Sequence, residues 1–173
     1  MPDRSAIRPT GDRVREALFD ILGFAVQGSR VLDAYAGTGA LGFEALSRGA
    51  ATVLFVETDP DAARAIRESA VRLGVGDRCR SVTGSVLDVL REPAPPDPFD
   101  LVLADPPYPL ADIEPLLRLA GARLAQAGTI VVERGHLTGA VERAGDVVLR
   151  RSAAYGRTRL DFYGRRATGE RVG

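Results

Sequence analysis

The 173-residue chain contains no tryptophan and no lysine, and it has one cysteine, one histidine and one methionine. A lone Cys79 excludes an internal disulfide and a thiolate metal cluster, and no metal site is evident. With lysine missing, every basic side chain is an arginine, a bias that reads as genome composition more than chemistry. No apolar run approaches the roughly 20 residues that a membrane span requires. The opening MPDRSAIRPT lacks the apolar stretch of a signal peptide, so the expected location is the cytoplasm. The 23 basic residues balance the 23 acidic ones, which argues against strong non-specific attraction to nucleic acid. The charges are nevertheless segregated: Asp77 to Glu114 is acidic and Arg150 to Arg171 is basic.

What is present is an ordinary globular composition, 45% hydrophobic and 27% charged. A chain of this length can bury about two-thirds of its surface, and a single domain over residues 1–173 is expected, with 1–23 as an N-terminal extension and helix. The spacing of Val14, Leu18, Ile21 and Leu22 predicts a helix over Asp12–Leu22, capped by Asp12 and stopped by Gly23. Strands are expected at Arg30–Tyr35, Thr52–Glu57, Arg80–Thr83, Phe99–Ala104 and Thr129–Glu133. Between them lie helices ending near Arg48, near Leu73 and in the segment before PAPPDP, and a fourth over Asp112–Ala125. Val147–Arg150 and Thr158–Tyr163 alternate apolar and polar residues around a glycine-containing connection, as an antiparallel hairpin does. The expected fold is α/β and Rossmann-like: a mainly parallel seven-stranded sheet with a C-terminal antiparallel hairpin at its edge and helices on both faces. Ligands of such folds sit beyond the C-terminal strand ends at the topological switch point.

Gly37-Thr38-Gly39-Ala40-Leu41-Gly42 satisfies G-x-G-x-x-G between a strand and a helix, and Glu57 follows about 20 residues on, at the next strand's end. The pattern suits both a nicotinamide dinucleotide and S-adenosylmethionine. Asp33, four residues before the first glycine, separates them. A dinucleotide would bring a pyrophosphate dianion to this carboxylate, whereas S-adenosylmethionine brings a sulfonium and an ammonium, so charge favours the methyl donor.

A second motif, Asp105-Pro106-Pro107-Tyr108, follows the strand FDLVLA at the same sheet edge. Two prolines fix two φ angles and remove two N–H donors, leaving carbonyls and the Asp105 carboxylate as a rigid set of acceptors suited to an amino group. Tyr108 adds a flat face on which a base can stack. An isolated D-P-P triplet is usually a plain proline-rich loop; the strand-end position, the glycine turn and the aromatic together give it meaning.

D-P-P-Y with D-A-Y-A-G-T-G resembles the class I methyltransferases that modify exocyclic amines of nucleobases. RPTGDRVREALFDIL (Arg8–Leu22), LDAYAGTGALGFEALSRGA (Leu32–Ala50), VETDP (Val56–Pro60), DPPY and YGRTRLDFY (Tyr155–Tyr163) resemble the RsmD family across nearly the whole chain. That resemblance implies methylation of a guanine N2 in 16S rRNA, within small ribosomal subunit particles, with S-adenosylmethionine as donor. It implies that Ala36, Gly37, Thr38 and Gly39 border the methionine part of the donor and that Asp33 holds its amino end. Glu57, with Thr58 beside it, would take the ribose hydroxyls, and Ser85 and Val86 would flank the adenine. Asp105, Pro106, Pro107 and Tyr108 would form the catalytic base site, and Arg8, Thr10, Asp12 and Arg13 would close over cofactor or target. Two features depart from the family. Ser85, with Asp88 one turn later, stands where an acid commonly meets the adenine amine, and only Met1–Ile7 precede the RPT segment, where a basic strand or hairpin is usual.

Because the amine's proton is lost easily after transfer, His136 need not take part, and Cys79 reads as apolar filler. Arg4, Arg8, Arg13 and Arg15 at one end and Arg150, Arg151, Arg157, Arg159, Arg165 and Arg166 at the other are the candidate phosphate contacts. A monomer is expected. A DNA adenine or small-molecule amine methyltransferase keeps the motifs and changes the substrate, while a nicotinamide-dependent oxidoreductase leaves D-P-P-Y unexplained.

Overall fold

The computed structural model describes residues 9–93, 97–107, 113–135 and 139–167, with side chains from Gly11 onward. Eight strands form one sheet, β1 (Arg30–Asp33), β2 (Thr52–Glu57), β3 (Cys79–Thr83), β4 (Phe99–Ala104), β5 (Leu124–Gly135), β6 (Arg143–Ala144), β7 (Val147–Tyr155) and β8 (Thr158–Arg165). Their order is β3-β2-β1-β4-β5-β8-β7-β6. The first five strands pair in parallel, and β8, β7 and β6 then add antiparallel. The seven strands expected from the sequence are all present, and the two-residue β6 is an addition on the outer edge beside β7.

The helices α1 (Pro9–Leu22), α2 (Ala40–Ser47), α3 (Pro60–Arg72), α4 (Val86–Arg91) and α5 (Glu114–Ala122) cover both faces. Side chains along a strand alternate between faces, and the buried residues sort accordingly. Val31, Leu101, Leu103 and Val131 pack with Leu18, Ala45 and Ile66 of α1, α2 and α3 on one face. Leu32, Val102, Ile130 and Val132 pack with Leu90 and Leu117 of α4 and α5 on the other.

Local chemistry explains the helix boundaries. The Asp59 side chain accepts from the Asp61 N–H at 2.9 Å, and Pro60 opens α3 in the position where its missing N–H is harmless. Two expectations are corrected. The first helix begins at Pro9, so Asp12 sits in its first turn and pairs with Arg15 at 2.9 Å instead of capping it. The last helix stops at Ala122 rather than Ala125, because Leu124 is drawn into β5 opposite Phe99, and the Phe99 N–H donates to the Arg123 carbonyl at 2.8 Å. Sheet pairing here outweighs helix propensity. The hairpin strands run longer than expected and turn at Gly156, whose φ of 58° is a left-handed value that favours glycine.

The antiparallel addition is held by charge as well as by its ladder. Arg134 on β5 donates from Nε to Asp161 Oδ2 on β8 at 2.9 Å, and Ser152 on β7 donates its hydroxyl to Oδ1 of the same residue. The side chains of Arg134 and Asp161 are 9% and 0% exposed, so the pair is screened little by water. Asp161→Ala leaves the Arg134 guanidinium buried without its counter-charge, and urea unfolding is expected to show a loss of about 3–5 kcal/mol.

Candidate active site

The turn between β1 and α2 is built from backbone. The Ala36 N–H donates to the Val56 carbonyl at 3.0 Å, and the Gly39 N–H to the Ala36 carbonyl at 2.6 Å. Gly37 and Gly39 have φ of 52° and 79°, and a Cβ on Gly39 would meet the Phe43 ring at 2.8 Å. Gly42 serves packing: a side chain there would strike Phe55 and Val53, so α2 lies directly on β2. A Cβ at Gly37 would meet nothing within 4 Å, so the backbone of the turn lies bare beyond β1, as close approach of a ligand requires.

Four carboxylates stand around this turn. Asp33 is 1% exposed; its Oδ2 accepts from the Gly42 N–H at 2.9 Å, while its buried Oδ1 has no partner among the described residues. Burial pushes its pKa up to about 7, against the opposing Gly42 hydrogen bond and with help from the charges of Asp105 and Glu57. Glu57 Oε2 accepts from the Gly37 N–H at 2.7 Å, and its Oε1 accepts from the Asp59 N–H at 3.0 Å and the Thr58 hydroxyl at 3.3 Å. Partial burial raises its pKa, but the backbone donors Asp59, Gly37 and Thr58 outweigh it and hold the carboxyl below the ordinary range. Asp105 is open to solvent on one side and lies against protein on the other, which raises its pKa. Glu133, half-buried at the end of β5, is pushed up to about 7 by burial and by the Asp105 charge.

Register explains why these four meet. Asp33 is level with Phe55 on β2 and Leu103 on β4, and Ala104 is level with Val132 on β5. With side chains alternating, Glu57, Asp33, Asp105 and Glu133 fall on the face covered by α1 and α2, at the C-terminal ends of β2, β1, β4 and β5. These are adjacent strands at the point where chain order reverses, the expected ligand position.

A cleft of about 280 Å³ opens beside Asp105, with Pro106, Pro107, Glu133, Arg134, Gly135 and Thr158 in its wall. Leu18 of α1 borders a small void beneath Glu133, which places that helix on the site side of the sheet. A larger cleft of about 650 Å³ lies at the opposite, N-terminal ends of the strands, walled by Arg30, Thr52, Cys79 and Phe99. It includes no residue of either motif.

The other expected site residues are distributed as follows. Ser85 precedes α4 at the end of β3, beside Glu57, and the Val86 side chain is buried in the core, leaving its backbone for any ligand. Asp88 is turned outward to Arg91 at 2.8 Å. Arg13 is exposed on α1, and Cys79 is only partly buried against the core. Arg8, Tyr108 and His136 lie outside the described residues, as does the side chain of Thr10. Of the candidate phosphate contacts, Arg150 donates to the Arg165 carbonyl, Arg165 to the Leu124 carbonyl, and Arg159 lies 3.3 Å from Asp161. Glu133 belongs to neither motif; its signal in the sequence is a carboxylate closing the apolar run TIVVE, one strand away from D-P-P.

A parallel sheet reversing between β1 and β4, a glycine turn after β1, an acid ending β2 and an antiparallel final pair define a class I methyltransferase fold. Residues 1–164 match the model of the family described as conserved hypothetical protein 95, and the chain belongs to this family, the RsmD-family methyltransferases. It is 33% identical over 172 residues to ribosomal RNA small subunit methyltransferase D of Escherichia coli, covering 98% of this chain and 85% of that protein. A shorter match to the protein of the same name from Haemophilus influenzae is 42% identical over 103 residues, 59% of this chain and 53% of that one. Among solved structures, the candidate methyltransferase yhhF of Escherichia coli superposes with a TM-score of 0.82 at 31% identity, covering 91% of this chain and 88% of that one. No helix among the described residues is long and apolar enough to cross a membrane.

Asp33 gives a test in the free protein. Its folded pKa of about 7 exceeds the unfolded value of 3.8, so its contribution to stability is fully present below pH 3.8 and is lost as pH rises toward 7. Asp33→Asn keeps an acceptor for Gly42 and removes the buried charge. Urea unfolding is expected to show the variant more stable than wild type by about 2–4 kcal/mol at pH 8, with the difference vanishing near pH 4.

Proposed function

We propose that the protein transfers a methyl group from S-adenosylmethionine to the exocyclic N2 amine of a guanine in 16S rRNA, acting on small ribosomal subunit particles. The observation that carries this reading is the D-P-P cleft, on the same sheet edge and the same face as the acid-flanked glycine turn. The chemistry of the turn fits the donor. A buried Asp33 oxygen without a partner and a row of carboxylates favour a cationic ligand and oppose a pyrophosphate. The names of the Escherichia coli and Haemophilus influenzae relatives support ribosomal RNA as the substrate class.

In this reading Ala36, Gly37, Thr38 and Gly39 pass under the methionine part of the donor and Asp33 attracts its amino end. Glu57 and Thr58 meet the ribose, and Ser85 with the Val86 backbone faces the adenine. Once bound, the donor supplies a methyl carbon on a cationic sulfur: the N2 lone pair forms the new N–C bond, the C–S pair stays on sulfur, and the surplus amine proton leaves to solvent. The residues' task is orientation, because the guanine amine is a weak nucleophile whose lone pair is delocalised into the ring. Hydrogen bonds from the amine to Asp105 and the Pro106 carbonyl turn that lone pair toward the methyl carbon, and the base, drawn out of its stack, rests on Tyr108. Thr10, Asp12 and Arg13 of the first helix, with Arg8 just before them in the chain, close over the cofactor or target. The exposed arginines contact phosphate, with the shape of the folded particle supplying recognition.

Labelled methyl transfer to small subunit particles lacking the modification, beside naked 16S rRNA, duplex DNA and free nucleosides, tests the reading. N2-methylguanine on particles is the expected product, and transfer to DNA or nucleosides instead overturns the ribosomal assignment. Asp105→Ala is expected to lower turnover at least 100-fold, on the order of losing one oriented polar contact in a transition state, while calorimetry shows donor affinity changed by less than about threefold. Tyr108→Ala is expected to weaken substrate use, and Tyr108→Phe much less, when the two are compared by kcat/KM.

A further inference from the structure

The D-P-P motif by itself selects an amine, not a base. The acceptors of Asp105 and Pro106 would serve the N6 amine of adenine as well as the N2 amine of guanine. What distinguishes the bases is the ring nitrogen beside the amine: in guanine N1 carries a hydrogen, and in adenine it carries a lone pair. A site that accepts guanine and rejects adenine therefore needs one more acceptor, placed next to the amine site and free of internal donors.

Glu133 meets that description. Register puts it level with the residue following β4, since Ala104 pairs with Val132, and its side chain shares the wall of the 280 Å³ cleft with Asp105, Pro106 and Pro107. Its neighbour Arg134 also borders the cleft, but the guanidinium is committed to Asp161 and the Gly139 carbonyl. Among the described residues no donor or cation is paired with the Glu133 carboxylate, and its strongest charged neighbour is the like-charged Asp105. Two carboxylates facing one cleft are mutually unfavourable until a ligand brings donors to both. The Watson–Crick edge of guanine carries N1–H and the two hydrogens of N2, three donors side by side.

We propose that Glu133 is the base-reading residue of this site, accepting the N1–H of the target guanine while Asp105 and the Pro106 carbonyl hold its N2 amine. The inference rests on the proposed reaction and deepens it. With both carboxylates engaged, the base is held at two adjacent positions, and rotation that would turn the amine away from the methyl donor is blocked. The positive charge that appears on N2 during transfer develops beside two acids, which favours it further. The elevated pKa of Glu133 is in keeping with a carboxylate whose donors arrive with the substrate.

The test exchanges hydrogen-bonding capacity on both partners. Small subunit particles are reconstituted with guanine or 2-aminopurine at the nucleotide that wild type methylates. 2-Aminopurine keeps the N2 amine but offers a lone pair at N1. Wild type is expected to favour guanine by about 5- to 100-fold in kcat/KM, the discrimination of one good base contact. Glu133→Gln is isosteric, and its amide donates to an unprotonated N1, so it is expected to lose rate on guanine, gain on 2-aminopurine and bring the ratio near or below one. Donor binding of the variant, measured alongside, is expected to match wild type within error, and its thermal stability at neutral pH to be equal or higher, because the substitution removes a carboxyl whose ionisation burial opposes. An unchanged preference in Glu133→Gln, or equal loss on both bases, overturns the base-reading role while leaving the reaction standing. Absence of N2-methylguanine from the wild-type arm overturns the reaction itself, and the inference with it.

Discussion

Burial of the Asp33 carboxylate under the first turn of α2 is the constraint around which this sheet edge is arranged. A carboxyl that is 1% exposed, with a single N–H for a partner, is expensive to ionise, and its pKa moves to about 7 in consequence. The packing that imposes this burial also creates the site. Gly42 lets α2 settle on Phe55 and Val53, the Gly42 N–H reaches Asp33, and the positive-φ glycines bring the chain round so that Gly37 meets Glu57. Relaxing that helix away from the sheet would hydrate Asp33 and dismantle the turn together.

The acids then divide by their surroundings. Glu57 receives three hydrogen-bond donors and stays ionised, Asp33 receives one and is poised near neutrality, and Glu133 is paired with none among the described residues. Equal chemistry at four strand ends thus becomes a graded set of acceptors, from a fixed anion beside the glycine turn to carboxylates at the D-P-P cleft that meet no donor among the described residues. A site assembled this way holds unfavourable electrostatic energy when empty and releases it to a ligand rich in donors or positive charge.

The hairpin of β7 and β8 contributes at a distance. It flanks β5 on the side away from β4, and the buried Arg134–Asp161 pair joins β5 to β8 one residue beyond Glu133. Arg134 and Glu133 both border the cleft, and the cation that secures the hairpin is engaged there by Asp161 and the Gly139 carbonyl.

Much was legible in the chain because it depends on local rules. The alternating strands and helices, the left-handed glycines after Asp33 and the proline-stiffened loop after Ala104 follow from φ restrictions and periodicity that act within a few residues. By themselves these determined an α/β sheet with a glycine turn and a proline-stiffened loop on one edge. Pairing across the sheet decided the rest. It took Leu124 out of the last helix to meet Phe99, added β6, and set Glu133 level with Asp105 although 28 residues separate them in the chain. Such register is a sum of contacts between distant strands, and a one-residue shift in β5 would have turned Glu133 to the other face. Which acids share the cleft is therefore a property of the folded sheet.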